Sequence, residues 1–546
     1  MRALLISGLG PAIKNQDLLA GSAFTASPDS PTAAGRVAGL LSSLQVRDNG
    51  RPYPLLRQYD PSAAPAVPAP GPPGPRTRDF PHLTTLTLQA ILRRCDIGLV
   101  TFPAEAIWSG DERTPPGEFD LALISTTFIW EPRSLAKAIG WVSDRYPAAT
   151  VILGGQYSNL KHRQILAAEP AVRYIVRGDA ETALPRLLDA LRGRCDLGDV
   201  PNLSWRDPDT DAIRETNIAY IDLDAEPSPS VEGHAPVVPY ESMRGCPFRC
   251  KFCSFPSASP EWRYKSAHKI AGDFARYHRA NGTQFVKALD STFTVPPRRL
   301  RELLPLLATT GVRWEAYTRA NAIRNARTVE ALEQAHCAAL AIGFESMNET
   351  VLGYMNKKVT AKANRHAHRL LRGSGIEHRA SFMVGYPGET PEQFEDTRRY
   401  LIDEYTGRFS LYVFSLSDET MPVWQDVQRF QLKINNLDTP DEGWHHVGMD
   451  HHAARHLQRE ALKEIRWNND HAVLNHWQGA YEMPLAPTRS DAANLRIEKL
   501  IEQLGMLPVD YHQDSDQDRR QAALIAELGR CEVTPAQAPT LSARPD

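Results

Sequence analysis

Cysteine is scarce, with seven in 546 residues. That excludes a disulfide-stapled secreted scaffold and makes any clustering of the seven informative. Long hydrophobic runs are absent. No stretch approaches the ~20 apolar residues of a membrane span, so no membrane partner is expected. Neither sign of charge dominates. The 62 Lys+Arg against 65 Asp+Glu leave a formal net charge of -3. There is no basic field for RNA or DNA, and nucleic acid is not an expected partner. The opening Met1–Gly8 is apolar but has no basic region and no cleavage site, so it reads as a first strand and not a signal peptide. A reducing cytoplasm is the expected compartment. Apolar residues make up 42% of the chain, enough to build two or three domains.

Three of the seven cysteines fall in Arg244-Gly245-Cys246-Pro247-Phe248-Arg249-Cys250-Lys251-Phe252-Cys253, at C-x3-C-x2-C spacing. Structural zinc sites close with four ligands, and ordinary ferredoxin clusters take four cysteines. A triad is one short. It is either a zinc knuckle completed by one of the 17 His, or a [4Fe–4S] cluster with one iron open to a substrate. Cys95, Cys195, Cys337 and Cys531 are scattered and read as structural. The triad, with Phe252 just before its third cysteine, resembles the signature of the radical S-adenosylmethionine (SAM) enzymes. The resemblance implies that Cys246, Cys250 and Cys253 hold the cluster. It also implies that the open iron chelates the amino and carboxylate groups of SAM, and that one electron then cleaves SAM to a 5′-deoxyadenosyl radical.

Ahead of the triad, short apolar runs alternate with helical patterns. Strands are expected at Ala3–Leu9, Asp96–Phe102, Leu121–Phe128, Thr150–Gly154 and Tyr174–Arg177. Helices are expected near His82–Arg94, Pro132–Tyr146, Lys161–Ala168 and Glu181–Leu191. Runs without polar alternation suit a parallel sheet covered on both faces, hence a doubly wound α/β domain with ligands at the strands' carboxyl ends. The proline-rich segment Pro61–Pro75 reads as an exposed polyproline-like excursion. Three strand ends carry Thr126-Thr127, Gly154-Gly155-Gln156 and Gly178-Asp179-Ala180-Glu181. They are either tight turns of any flavodoxin-like sheet or a ligand cradle. They resemble the cobalamin-binding domains fused to radical SAM enzymes, which implies cobalamin contacts from Thr126, Thr127, Gly154, Gly155, Gln156, Gly178 and Glu181. The D-x-H-x-x-G motif that supplies a histidine to cobalt in methionine-synthase-type domains is absent. A base-off cofactor without a protein histidine is therefore expected, its lower face covered by Phe128 or Trp130.

After a polar linker the alternation resumes. Strands are expected at Val237–Ser242, Phe285–Leu289, Arg313–Tyr317, Ala338–Phe344, Arg379–Val384 and Ser410–Ser415. Six units are too few for an eight-fold barrel. They match the partial (β/α)6 barrel of the radical SAM family, with the triad after the first strand, where parallel barrels keep their catalytic loops. The resemblance further implies SAM contacts from Asp290, Ser291, Glu345 and the Gly385-Tyr386-Pro387-Gly388-Glu389-Thr390 turn, in particular Gly385 and Pro387. An acid ending an apolar strand, as Glu345 does, is costly without a partner. Gly385 and Gly388 would let backbone approach the adenine. Trp444-His445-His446-Val447-Gly448-Met449-Asp450-His451-His452 is open to two readings, a second metal site or the W-x-H-x-x-M stretch of C-terminal caps in this family. The tail after about Asp514 is expected to be disordered.

The expected fold class is thus α/β: a doubly wound cobalamin-binding domain (1–200), a linker (201–236), a partial radical SAM barrel (237–417), and a mainly helical cap with tail (418–546). The resemblance points to a cobalamin-dependent radical SAM methyltransferase. It takes SAM, cobalamin and a [4Fe–4S] cluster as cofactors, acts on a small molecule, and draws electrons from a flavodoxin or ferredoxin. Within that class, Leu5–Pro11, Lys14-Asn15 and Gly21–Phe24 resemble the P-methyltransferases of phosphinothricin tripeptide antibiotic biosynthesis. That implies methylation of phosphorus in a phosphinate such as N-acetyldemethylphosphinothricin, with Arg319 and Arg263 as candidate anion donors. The alternatives are C-methylation, for example of tryptophan, and a cobalamin radical SAM reaction without methyl transfer.

Overall fold

The computed structural model describes residues 1–10, 18–54, 81–109, 114–416, 419–434, 443–475, 486, 488–511 and 516–535. The proline-rich 61–75 segment, Lys14-Asn15 and the last eleven residues lie outside them.

The first sheet is doubly wound. β1 (Arg2–Ser7) lies between β2 (Gly98–Pro103) and β3 (Leu121–Ser125), and β4 (Thr150–Gly154) and β5 (Val172–Val176) continue it, all parallel. Alternate residues of β1 serve opposite cores: Leu4 and Ile6 join one apolar cluster, Ala3 and Leu5 the other. That is why the strand reads as an unbroken apolar run. The hairpin β6 (Leu203–Arg206) and β7 (Ile213–Glu215), which the sequence reading placed in the linker, completes this sheet antiparallel to β5. The order β2-β1-β3-β4-β5 reverses direction between β1 and β3, where doubly wound folds open a ligand crevice.

The second sheet runs in chain order through β8 (Val237–Tyr240), β9 (Phe285–Ala288), β10 (Arg313–Arg319), β11 (Cys337–Glu345), β12 (Glu377–Val384), β13 (Gly407–Val413) and β14 (Ala472–Leu474), all parallel. Six of these strands were expected. The seventh comes from the cap and pairs with β13, so the barrel sheet extends beyond residue 417. The edges are β8 and β14, which leaves the barrel open. Trp314, Ala316, Ala380, Phe382 and Val384 face the surrounding helices as core. The intervening Glu315, Tyr317, Arg379, Ser381 and Met383 therefore face the lumen. Tyr317 is 45% exposed there.

The cap differs most from expectation. The segment from 516 to 535, expected to be disordered, holds the helix Gln517–Arg530 and the strand Val533–Pro535. The strand pairs with Leu44–Asp48, which also pairs with Arg51–Pro54. The helix buries Leu524 and Leu528, one turn apart, against Ile497, Leu500 and Leu504 of the helix Asp491–Asp510, together with Val37 and Leu41 from near the N-terminus. The charged residues around Leu524 and Leu528 dilute that two-residue stripe in sequence. Ala23, Val37, Ala38, Leu41, Leu44 and Val46 thus belong to the cap core and not to the first sheet. Among the described residues no helix is long and apolar enough to cross a membrane.

Leu528 is 1% exposed. Leu528→Ala is expected to cost about 2–5 kcal/mol of stability, as for other buried leucine truncations. Denaturant unfolding checks this, and a loss below about 0.5 kcal/mol would mean that the terminal helix does not dock.

Candidate functional site

The cysteine loop hangs from the carboxyl end of β8 and is fixed from below by an acid. Asp290 follows β9 and accepts from Ser242 N (2.6 Å), Ser242 Oγ (2.6 Å) and Met243 N (3.0 Å). Burial pushes this carboxyl up to about 6 against those hydrogen bonds. Both oxygens are occupied, so Asp290 shapes the loop's approach. Ser291, exposed, donates to Gly245 O at 2.9 Å. Lys251 N donates to Met355 O, and Val423 N donates to Lys251 O.

The three thiols lie within electrostatic reach of one another. Burial pushes the Cys253 thiol up to about 11, and the Cys250 and Cys246 sulfurs add to the effect. Cys250 is buried, and Cys246 and Cys253 are partly exposed. Among the described residues no three His, Cys, Asp or Glu are placed to hold one metal ion. A cubane sets its thiolates on three separate irons, farther apart than the ligands of a single ion. The donor chemistry of the triad fits such a cluster.

Two cations flank the loop. Lys357 Nζ donates to Glu345 Oε1 at 2.7 Å and sits 5.3 Å from the centre of the Phe252 ring. Glu345 ends β11 with φ +64, past a register shift, an uncommon backbone for a non-glycine residue. Arg319 ends β10. It donates through Nη1 to Cys250 Sγ at 3.5 Å and through Nη2 to Lys357 O, and its guanidinium lies 3.8 Å over the Phe248 ring. The structure thus brings Phe252, Glu345 and the cysteines together. Lys357 was not anticipated, because nothing in the spacing of Asn356-Lys357-Lys358 marks it.

The turns of the first sheet converge as well. Gly155 has φ +109, and a Cβ there would lie 2.8 Å from Thr127 N, so glycine is required where β3 and β4 end side by side. Thr126 is fully buried and is bonded to Gly154 O and Ser158 Oγ, which makes it a strut of this turn. Thr127 and Gln156 are half-buried, and Gly178 is exposed with open space over its Cα. Leu9, Phe128 and Trp130 are 39%, 41% and 44% exposed at the carboxyl ends of β1 and β3. Exposed apolar side chains beside tight backbone turns are the kind of surface that a large planar ring can cover.

Glu181 has another partner. Arg244, the residue before Gly245-Cys246, donates to Glu181 (2.5 Å), Glu241 (2.6 Å) and Asp179 (2.8 Å). Arg263 also donates to Asp179, at 2.7 Å, and to Ile221 O. Burial alone would push the Asp179 carboxyl up, but Arg263 and Arg244 together hold it below the usual carboxylate range. Glu181 and Arg263 are thus committed to the junction between the two sheets.

Residues 240–401 match the Radical SAM superfamily. They form a radical SAM domain. An uncharacterized methyltransferase of Pyrococcus horikoshii is 24% identical over 321 residues, 56% of this chain and 69% of that protein. The anaerobic magnesium-protoporphyrin IX monomethyl ester cyclase of Cereibacter sphaeroides is 27% identical over 285 residues, 47% of this chain but 45% of the cyclase. Among solved structures, TsrM of Kitasatospora setae, a radical SAM methyltransferase with tryptophan and a SAM analogue bound, has a TM-score of 0.55. It is 15% identical and covers 82% of this chain and 96% of its own. The cobalamin-dependent radical enzyme OxsB has a TM-score of 0.50 at 15% identity, covering 83% and 69%. At such identities these likenesses speak to the fold.

Within the radical SAM domain, the Gly385–Thr390 turn is packed by the cap. Gly385 has φ +85, and a Cβ there would lie 2.6 Å from the Trp444 ring and 2.8 Å from Ala454. Gly388 is pressed on Phe430. The side that a Cβ would occupy holds protein, so these glycines admit the cap, not an adenine. His446 stacks on Trp444 with centroids 5.3 Å apart. Its Nδ1 accepts from Gly388 N and Gly448 N, which leaves Nε2 to donate to Gly385 O. Burial pushes the ring down to about 4, so it stays neutral. The histidine-rich stretch supplies a brace here, in the W-x-H-x-x-M arrangement.

Glu389 closes the turn. It is fully buried, Gly385 N donates to its Oε2 at 2.6 Å, and its Oε1 has no partner among the described residues. Burial pushes the carboxyl from 4.5 up to about 8. The folded state therefore keeps a proton that the unfolded chain loses above 4.5. The stability this contributes is present below that value and is lost as pH rises towards 8. Between those limits the loss approaches about 1.4 kcal/mol per pH unit. Glu389→Gln is expected to flatten the pH dependence of Tm between pH 5 and 8 relative to wild type. Parallel profiles for the two proteins would refute a buried neutral carboxyl.

Proposed function

We propose that the chain is a cobalamin-dependent radical SAM methyltransferase. The observation that carries this reading is the Arg244 junction. One guanidinium joins the last glycine turn of the first sheet, through Asp179 and Glu181, to the residue that opens the cysteine loop. One side chain holds both the turn read as the cobalamin cradle and the loop read as the cluster loop, which supports two cofactors meeting at one seam.

When bound, the cluster, SAM and cobalamin supply reductive SAM cleavage and methyl transfer; the protein supplies position, charge and dryness. Cys246, Cys250 and Cys253 hold the cluster. Phe252 and Glu345 border it, and Glu345 with Lys357 forms an ion pair at the edge of the SAM site. Ser291 offers a hydroxyl, and Pro387 stiffens the turn beneath. Thr127, Gly154, Gln156 and Gly178 line the corrin crevice, while Phe128 and Trp130 supply its apolar wall. Single Cys246→Ala, Cys250→Ala and Cys253→Ala variants are expected to lose 5′-deoxyadenosine formation and keep cobalamin uptake. Undiminished cleavage in all three would sink the cluster assignment.

For the acceptor, the reading is a phosphinate bearing a carboxylate, such as N-acetyldemethylphosphinothricin, drawn from the resemblance of the opening stretch. Its Gly21–Phe24 part seats Phe24 over Gly505 of the cap. The donors first considered, Arg319 and Arg263, are committed elsewhere. Lys287, which pairs with Glu315 at 3.5 Å, and Arg379 are among the cationic residues at lumen-facing strand positions. Arg379→Gln is expected to weaken use of a dianionic acceptor by about 2–4 kcal/mol, as for a lost charge-assisted contact. Phosphorus NMR of the reconstituted enzyme should show P–H becoming P–CH3. SAM turnover without that signal, together with a methylated carbon acceptor, would replace the phosphinate with C-methylation.

A further inference from the structure

Several large buried cations in this chain are paired with carboxylates. Arg244 and Arg263 bind Asp179, Arg408 binds Glu498 and Asp491, and Arg466 binds Glu502 and Asp510. Arg299, 3% exposed, donates to Ser242 O and Phe293 O and feels the charge of Asp290. Arg319 is met differently. It is 6% exposed and forms no ion pair with a carboxylate among the described residues. Its Nε is buried without a hydrogen-bond partner. Around the guanidinium lie Lys357 O, which accepts from Nη2, and two groups of the cysteine loop: Cys250 Sγ as acceptor at 3.5 Å, and the Phe248 ring 3.8 Å from its centre.

A buried, uncompensated guanidinium is strongly disfavoured unless an anion arrives to meet it. Here the group within reach is sulfur. A thiolate-ligated cluster carries net negative charge, and hydrogen bonds to its sulfurs and nearby charge set its reduction potential. The Phe248 ring fixes the plane of the fork, and one N–H points at Cys250. The neighbouring Lys357 cannot do the same, because its charge is met by Glu345 at 2.7 Å.

We propose that Arg319 is the built-in counter-charge of the cluster: its guanidinium donates to the Cys250 sulfur and raises the cluster's reduction potential, which eases the entry of one electron. Arg319 is thus a positioning and tuning residue, not an anion receptor for substrate. The inference rests on the cluster reading above.

The test uses the full chain, anaerobically reconstituted and free of SAM. Iron and sulfide are quantified, and the cluster is titrated with dithionite under electron paramagnetic resonance. At the potential that half-reduces wild type, the reduced-to-oxidised ratio in Arg319→Gln is expected to fall at least tenfold, a 59 mV shift for a one-electron couple. Arg319→Lys, which keeps charge but not the fork, should fall less. A fully loaded Arg319→Gln within twofold of wild type overturns the proposal. If Arg319→Gln loads no cluster, Arg319→Lys and Phe248→Leu decide. A lowered ratio in either supports the role, and wild-type ratios in both overturn it. A wild-type chain that takes up no cluster overturns the cluster reading itself. A loaded wild type with unshifted variants overturns this inference alone.

Discussion

One guanidinium sets the geometry on which the site depends. Arg244 reaches Asp179 and Glu181 on the first sheet and Glu241 on its own strand end, and it stands immediately before Gly245-Cys246. Asp179 and Glu181 expose only 4% and 5% of their side chains. Buried ion pairs add little net stability over apolar replacements, yet removing one partner costs about 3–5 kcal/mol. Such a pair is therefore weak glue and a strong register mark. It fixes which residue of the cysteine loop faces which turn of the first sheet, and apolar packing alone would allow that alignment to slide.

The register matters because the two halves present the same kind of edge. In both sheets the informative residues follow the carboxyl ends of parallel strands: Thr126–Trp130, Gly155 and Gly178 in the first, the cysteine loop, Asp290 and Glu345 in the second. Parallel sheets place loops there by construction. Closing the two edges on one another with Arg244 and Arg263 turns two generic crevices into one seam. Charge is then graded across it. Carboxylates are met by arginines at the junction, Lys357 is met by Glu345 beside the loop, and Arg319 is left facing sulfur.

Much of this was legible in the sequence because it is local. The triad spacing, the apolar strands and the glycine turns are short-range patterns, and each falls where it was expected. What escaped were pairings between distant residues. Leu524 and Leu528 look like a minor stripe until Val37, Leu41 and Leu500 are found against them. β14 is three residues long and has no period of its own; β13 makes it a strand. Gly385 and Gly388 were read as space for a ligand because sequence shows a missing Cβ but not what fills the gap. Trp444 and Phe430 do.

The arginines show the same limit in its sharpest form. Read in sequence, Arg263 and Arg319 are equivalent: each follows a strand near the barrel mouth, and each suits an anion. Their partners separate them. Two oxygens of Asp179 satisfy Arg263, which makes it part of the junction. Among the described residues no carboxylate pairs with Arg319, and the sulfur and ring beside it belong to the loop that would carry the metal cluster. A buried charge is defined by what neutralises it, and that is a property of the folded neighbourhood. Lys287 and Arg379 sit on strand positions that alternate with the core and so face the lumen, which is why the proposal of an anionic acceptor turns to them.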